Sequence, residues 1–99
     1  MKIYLDDIRK APDNYVLVKS VNQAKQLIIN TERNNDFIEI IDIDHDLGDF
    51  AYDGGDAIKL LDWLVERNTL YPIQIHTANI IGRQNMERMI KRYWKKEIL

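Results

Sequence analysis

The chain has 99 residues, 45% of them hydrophobic and 30% charged, with a formal net charge of -2 and no cysteine. This is an ordinary composition for a globular domain, with room for one core and little for a second module. It excludes a disulfide framework, a thiolate metal site and a broad basic surface for nucleic acid, although basic residues gather locally at Arg83, Arg88, Lys91, Arg92, Lys95 and Lys96. Lys2 to Asp6 is a short alternating apolar run that predicts a first strand, and Arg9 to Asn14, with Pro12 and Asp13-Asn14, reads as a turn. Tyr15 to Lys19 predicts a second strand. Ser20 reads as a helix N-cap with Gln23 three residues on, and Ala24, Leu27 and Ile28 follow at helical spacing to an end near Asn34-Asn35.

Phe37 to Ile43 is rich in isoleucine and predicts the third strand. Leu47 to Gly55 is a glycine-rich loop, and the helix after it carries Ile58, Leu61, Leu64 and Val65 on one face. Pro72 ends that region and Ile73 to Thr77 forms the fourth strand. After Gly82 a basic amphipathic helix places Met86, Met89, Ile90, Tyr93 and Trp94 in one stripe, so Trp94, like Trp63 on the preceding helix, belongs to the core. No apolar run is long enough to span a bilayer, and the acidic N-terminal region has no signal-peptide pattern. A single cytoplasmic domain over residues 1–99, without membrane contact, is the expectation.

Strand alternation turns Ile3, Leu5, Val16, Val18, Ile41, Ile43, Ile73 and Ile75 one way and Lys2, Tyr4, Tyr15, Lys19, Gln74 and His76 the other. The expected sheet is packed by helices on one face. Its other face is partly open, covered by a partner or crossed by the C-terminal helix. Tyr4 and Tyr15 on that face suit a stacking surface or a homodimer interface, with the C-terminal helix as a second dimer surface.

Three strands end in chemically capable clusters: Asp6-Asp7, Asp44-His45-Asp46 and His76-Thr77-Ala78-Asn79. The crevice beyond the carboxyl ends of the strands is where open α/β sheets bind ligands. Asp6, Asp7, Asp44 and Asp46 gathered there would repel one another without a cation, and Mg²⁺ is the natural choice, with Mn²⁺ as its substitute. Thr77 and Asn79 can donate to phosphate oxygens, and Arg83 and Arg9 can clamp them. The N-terminus of the helix near Gly82 adds a partial positive charge. The same residue types also serve as solvated turn residues, helix caps and hydrogen-bonded core histidines.

Asp6-Asp7, Asp44 and Thr77-Ala78 resemble the acidic pair, the phosphoacceptor and the hydroxyl-bearing pair of a response-regulator receiver domain. The chain departs from it where Ile8 to Asn14 replaces the first helix, and in lacking the fifth strand with its phosphate-binding lysine. It resembles more closely the cyclic-phosphate-processing receiver-like family. The residues that carry this are Leu5-Asp6-Asp7-Ile8-Arg9, Asp44-His45-Asp46-Leu47-Gly48, His76-Thr77-Ala78-Asn79 and Gly82-Arg83-Gln84-Asn85-Met86, so the likeness runs from the first residue to about residue 90. Ile8 departs from the acidic residue common at its position.

The resemblance implies a small α/β, Rossmann-like receiver derivative: three helices on a four-stranded, mostly parallel sheet, with the first receiver helix and the fifth strand missing. It also implies action on cyclic phosphate ends of nucleotides or RNA. On that reading the protein is a metal-assisted phosphoesterase or binding domain, with His45 and His76 as acid and base in opening a cyclic phosphodiester and Asp44 at the reacting centre. The alternative is a degenerate, non-catalytic signalling or protein-interaction module, phosphorylated on Asp44 or docked through its sheet face.

Overall fold

The computed structural model describes residues 1–94. Strands β1 (Lys2–Leu5), β2 (Tyr15–Val18), β3 (Ile40–Ile43) and β4 (Ile73–Ile75) form one sheet in the order β2-β1-β3-β4, with every pair parallel. This is the receiver order without a fifth strand among the described residues. Because all four strands run the same way, their carboxyl ends share one rim.

Helix α1 (Val21–Arg33) starts where the sequence places it. The Ser20 hydroxyl accepts the Gln23 N–H at 3.1 Å, and the Gln23 side chain in turn accepts the Lys19 N–H at 2.8 Å. Helix α2 (Ile58–Arg67) stops at Asn68, which adopts the left-handed conformation at φ 58°. Helix α3 (Ile80–Tyr93) begins two residues before Gly82 because Asn79 caps it, its Oδ1 accepting the Gly82 N–H at 2.8 Å.

All three helices pack on one face. Ile3, Leu5, Ile41 and Ile43 are fully buried in a single core with Val21, Ala24 and Ile28 of α1, Leu60, Leu61 and Leu64 of α2 and Met86 of α3. The opposite face, with Tyr4, Tyr15, Leu17, Asp42, Gln74 and His76, carries no helix among the described residues. The reason is local: β1 and β2 are joined by residues 6–14, a link without a helix. No helix among the described residues is long and apolar enough to cross a membrane.

Several boundaries differ from the sequence reading. The third strand starts at Ile40 rather than Phe37, which is 72% exposed. The stretch before it still runs beside the N-terminus, the Glu39 N–H donating to the Met1 carbonyl at 2.9 Å. Val16 has the core-facing parity but lies 41% exposed, because β2 is an edge strand and only Val18 reaches the core. Tyr93 leaves the apolar stripe of α3 and is exposed, whereas the Trp94 indole packs on the core and donates to the Tyr71 carbonyl at 2.7 Å. Lys95 and Lys96 of the basic cluster lie outside the described residues.

Candidate functional site

The parallel register brings two of the predicted clusters together at the β1–β3 rim. The Asp44 N–H donates to the Leu5 carbonyl at 2.9 Å, and the Asp6 N–H donates to the Val18 carbonyl at 3.0 Å. As a result one carboxylate oxygen from each of Asp6, Asp7 and Asp44 lies within 4.8 Å of the others. Asp6 is buried and its acceptor positions are filled. Its Oδ1 takes the backbone N–H groups of Ile8 and Arg9, both at 2.9 Å, while its Oδ2 takes Arg9 Nη1 at 3.2 Å and His76 Nε2 at 2.9 Å. Burial alone would push this carboxyl up, but the backbone and side-chain donors together outweigh it and hold Asp6 below the usual carboxylate range.

Asp7 behaves in the opposite way. Burial and the neighbouring charges of Asp6, Asp44 and Asp49 raise its carboxyl above the usual range. Arg9 Nη1 spans the group, 3.2 Å from Asp6 Oδ2 and 3.5 Å from Asp44 Oδ2. One guanidinium thus contacts two of the three carboxylates. Hard oxygen donors that repel one another and include partly solvated members could hold a divalent metal ion, and Asp7 and Asp44 are the two that remain accessible to one. Gly48 makes the close approach possible, since a Cβ there would stand 2.5 Å from Asp7 Oδ2 and its φ of +51° favours glycine.

Asp46, expected with the metal carboxylates, belongs to a second group. His45 Nδ1 lies 2.8 Å from Asp46 Oδ1, and the Asn79 amide donates to both Asp46 oxygens at 3.1 and 3.0 Å. The His45 hydrogen bond is the main cause that lowers the Asp46 carboxyl, with Asn79 assisting against burial. Asp56 completes this group with one oxygen within 4.8 Å of the others, although it also accepts the Leu47 N–H at 3.1 Å. The His45 ring rests on Gly82 at the start of α3. Its Nδ1 is oriented by a carboxylate, which leaves Nε2 as the nitrogen for a ligand.

His76 sits on the other side of the sheet. Its ring stacks on Tyr4 with centroids 4.2 Å apart and planes 5° from parallel, its Nδ1 is 2.6 Å from Asp42 Oδ1, and its Nε2 meets Asp6. Asp42 is the member of this array that the sequence reading did not single out. The signal was a charged residue inside the run Ile40-Ile41-Asp42-Ile43, because a carboxylate buried in a strand requires a partner.

The family model of the cyclic-phosphate processing receiver domain matches residues 1–92. The chain belongs to that family. No curated protein and no solved structure matches it.

In this cyclic-phosphate processing receiver domain the phosphate-binding expectations fall into two sets. Arg9 is at the carboxylates. Thr77 Oγ1 accepts the Asn79 N–H at 3.2 Å, which leaves its hydroxyl proton free to donate. Asn79 is engaged twice, by the α3 cap and by Asp46. The contacts of Arg83 are at the outer edge of β4, with the Ile75 carbonyl at 3.2 Å and Glu87 at 3.6 Å. Arg83 therefore braces β4 on the side where the described residues supply no further strand.

Proposed function

We propose that the protein is a metal-assisted phosphoesterase that opens cyclic phosphate ends of nucleotides or RNA. The observation that carries the reading is the pairing, on one rim, of the Asp6–Asp7–Asp44 group with a histidine oriented by its own carboxylate, in a chain of the cyclic-phosphate processing family. A divalent cation held by Asp7 and Asp44, with Asp6 beside them, would neutralise phosphate charge and orient the attacking water.

The chain's own residues supply the rest. His45, held by Asp46 at Nδ1, takes the proton of the attacking water at Nε2 as a phosphorus–oxygen bond to water forms. The endocyclic phosphorus–oxygen bond breaks, and the sugar oxygen leaves as a hydroxyl after taking a proton from solvent, giving a phosphomonoester. Arg9, half exposed and already at the carboxylates, turns its free donors to the non-bridging oxygens, and Thr77 donates its hydroxyl. Both ring nitrogens of His76 face carboxylates, so acid–base work falls to His45 and the task of His76 is to hold Asp6.

Phosphorus NMR of a nucleoside 2′,3′-cyclic phosphate and of a short RNA with the same end tests this. Conversion to a monoester that requires Mg²⁺ and disappears in Asp44→Asn and His45→Ala is the expected result. An unchanged cyclic-phosphate signal with wild-type protein and Mg²⁺ removes the reading. A single phosphate adduct on Asp44 after treatment with a small phosphodonor would instead favour a signalling module.

A further inference from the structure

His76 is fixed more firmly than Arg9, the other side chain that touches Asp6 Oδ2. Of the two side chains that contact Asp6 Oδ2, Arg9 is 49% exposed and divides its Nη1 between Asp6 and Asp44, so it is free to move when a phosphate arrives. His76 is only 18% exposed. Asp42 holds its Nδ1 at 2.6 Å, Tyr4 covers the flat of the ring, and Tyr4 is braced by Tyr15 edge-on at 5.9 Å and 77°. Asp42 and Tyr4 are themselves 5% and 7% exposed, although they occupy the sheet face that no described helix covers.

Nothing in the core calls for this array. The helices pack on the other face, and an apolar residue at position 42 would extend the isoleucine run without burying a charge. What the array accomplishes is local: the backbone N–H groups of Ile8 and Arg9 fix Asp6 Oδ1, and His76 fixes Oδ2.

We propose that Asp42 and Tyr4 are positioning residues that act through His76 to hold Asp6 in the carboxylate group. This inference rests on the reading that Asp7 and Asp44 hold a divalent cation with Asp6 beside them. Partners of this kind orient the groups around a metal, and their loss weakens metal affinity about 10- to 100-fold.

The test measures Mn²⁺ binding alone, by electron paramagnetic resonance, on wild type, Asp42→Asn, His76→Gln and the double variant. Asp42→Asn keeps the shape of the side chain. We expect it to weaken Mn²⁺ binding about tenfold when His76 is present and to change nothing in the His76→Gln background, because residues acting through one another are non-additive. An equal loss in both backgrounds, which a general charge effect would give, overturns the proposal. So does wild-type affinity in Asp42→Asn, or a wild type that binds no Mn²⁺.

Tyr4→Leu and Tyr4→Phe give a second measurement that leaves Asp42 in place. Leucine weakens binding and phenylalanine, which keeps the stack, does not; equal affinities in the two would also overturn the proposal. No substrate is present in any of these measurements. Failure to open cyclic phosphates, with the expected Mn²⁺ pattern intact, would therefore discard the phosphoesterase reading alone.

Discussion

The His45 ring lies directly against Gly82: a Cβ at residue 82 would stand 2.5 Å from His45 Cγ and 2.8 Å from its Nδ1. Gly82→Ala therefore sets two effects against each other. Alanine gains about 1 kcal/mol of helix propensity in α3, and the new methyl drives the imidazole away from Asp46. The expected outcome is a protein of near wild-type thermal stability whose cyclic phosphate opening falls about 100-fold, the scale of a 1 Å misplacement of a reacting group. Full activity in Gly82→Ala would show that the His45–Asp46 contact is not the working arrangement.

The carboxylate group makes a prediction about stability without substrate. The Asp7 carboxyl is raised, first by burial and then by Asp6, Asp44 and Asp49, so its ionisation opposes folding at neutral pH. That penalty is absent below the ordinary aspartate value and grows as pH rises through the folded value. Asp7→Asn should therefore melt above wild type at pH 7 in EDTA. Mg²⁺ or Mn²⁺ at about 100 times its dissociation constant should stabilise wild type by about 2.7 kcal/mol and leave Asp7→Asn little changed. Calorimetry with and without metal checks both signs, and a metal-independent melting temperature in wild type would contradict the assignment.

The elements that the sequence specified best are those whose local chemistry and tertiary packing agree. Ser20 and Gln23 form the cap their spacing announces, and the parity of Ile3, Leu5, Ile41 and Ile43 matches the helix-covered face. The Asp6–Asp7–Asp44 group was legible because strands that end in acidic residues can be parallel neighbours. Asp46 was not, since past the end of β3 the two residues on either side of His45 diverge: Asp44 goes to the β1 side and Asp46 to His45 and Asn79. The contacts of Arg83 depend on which side of β4 is left unpaired among the described residues, and that is a property of sheet order rather than of any local motif. Asp42 escaped notice for a similar reason, its partner being 34 residues away across a strand pair.

At the opposite end of the sheet, Glu32 ties α1 to α2 and to the approach to β4. Its carboxylate accepts Arg67 Nη2 at 2.6 Å and Nη1 at 3.4 Å, and also the Tyr71 hydroxyl. The Arg67 hydrogen bond holds the Glu32 carboxyl below the usual range despite burial, with Tyr71 adding to it. Burial, followed by the hydrogen bond to Glu32, pushes the Tyr71 phenol up to about 12. The two shifts limit stability on opposite sides of neutrality. A lowered Glu32 value means that its contribution is complete above the ordinary glutamate value of about 4.3 and is lost as pH falls through the folded value. A raised Tyr71 value means that its contribution is complete below the ordinary value of about 10 and fades as pH climbs toward 12. Glu32→Gln should lower stability at pH 7 by about 1 kcal/mol, below the usual range for a hydrogen bond to a charged group because the pair is partly solvated. It should also flatten both limbs, the acid one because glutamine does not titrate and the alkaline one because the Tyr71 value falls back toward that of the unfolded chain, leaving only the part that burial causes. Thermal melts from pH 3 to 11 measure both limbs, and a Glu32→Gln profile parallel to wild type throughout would show that the Glu32–Arg67–Tyr71 contacts contribute nothing to folding.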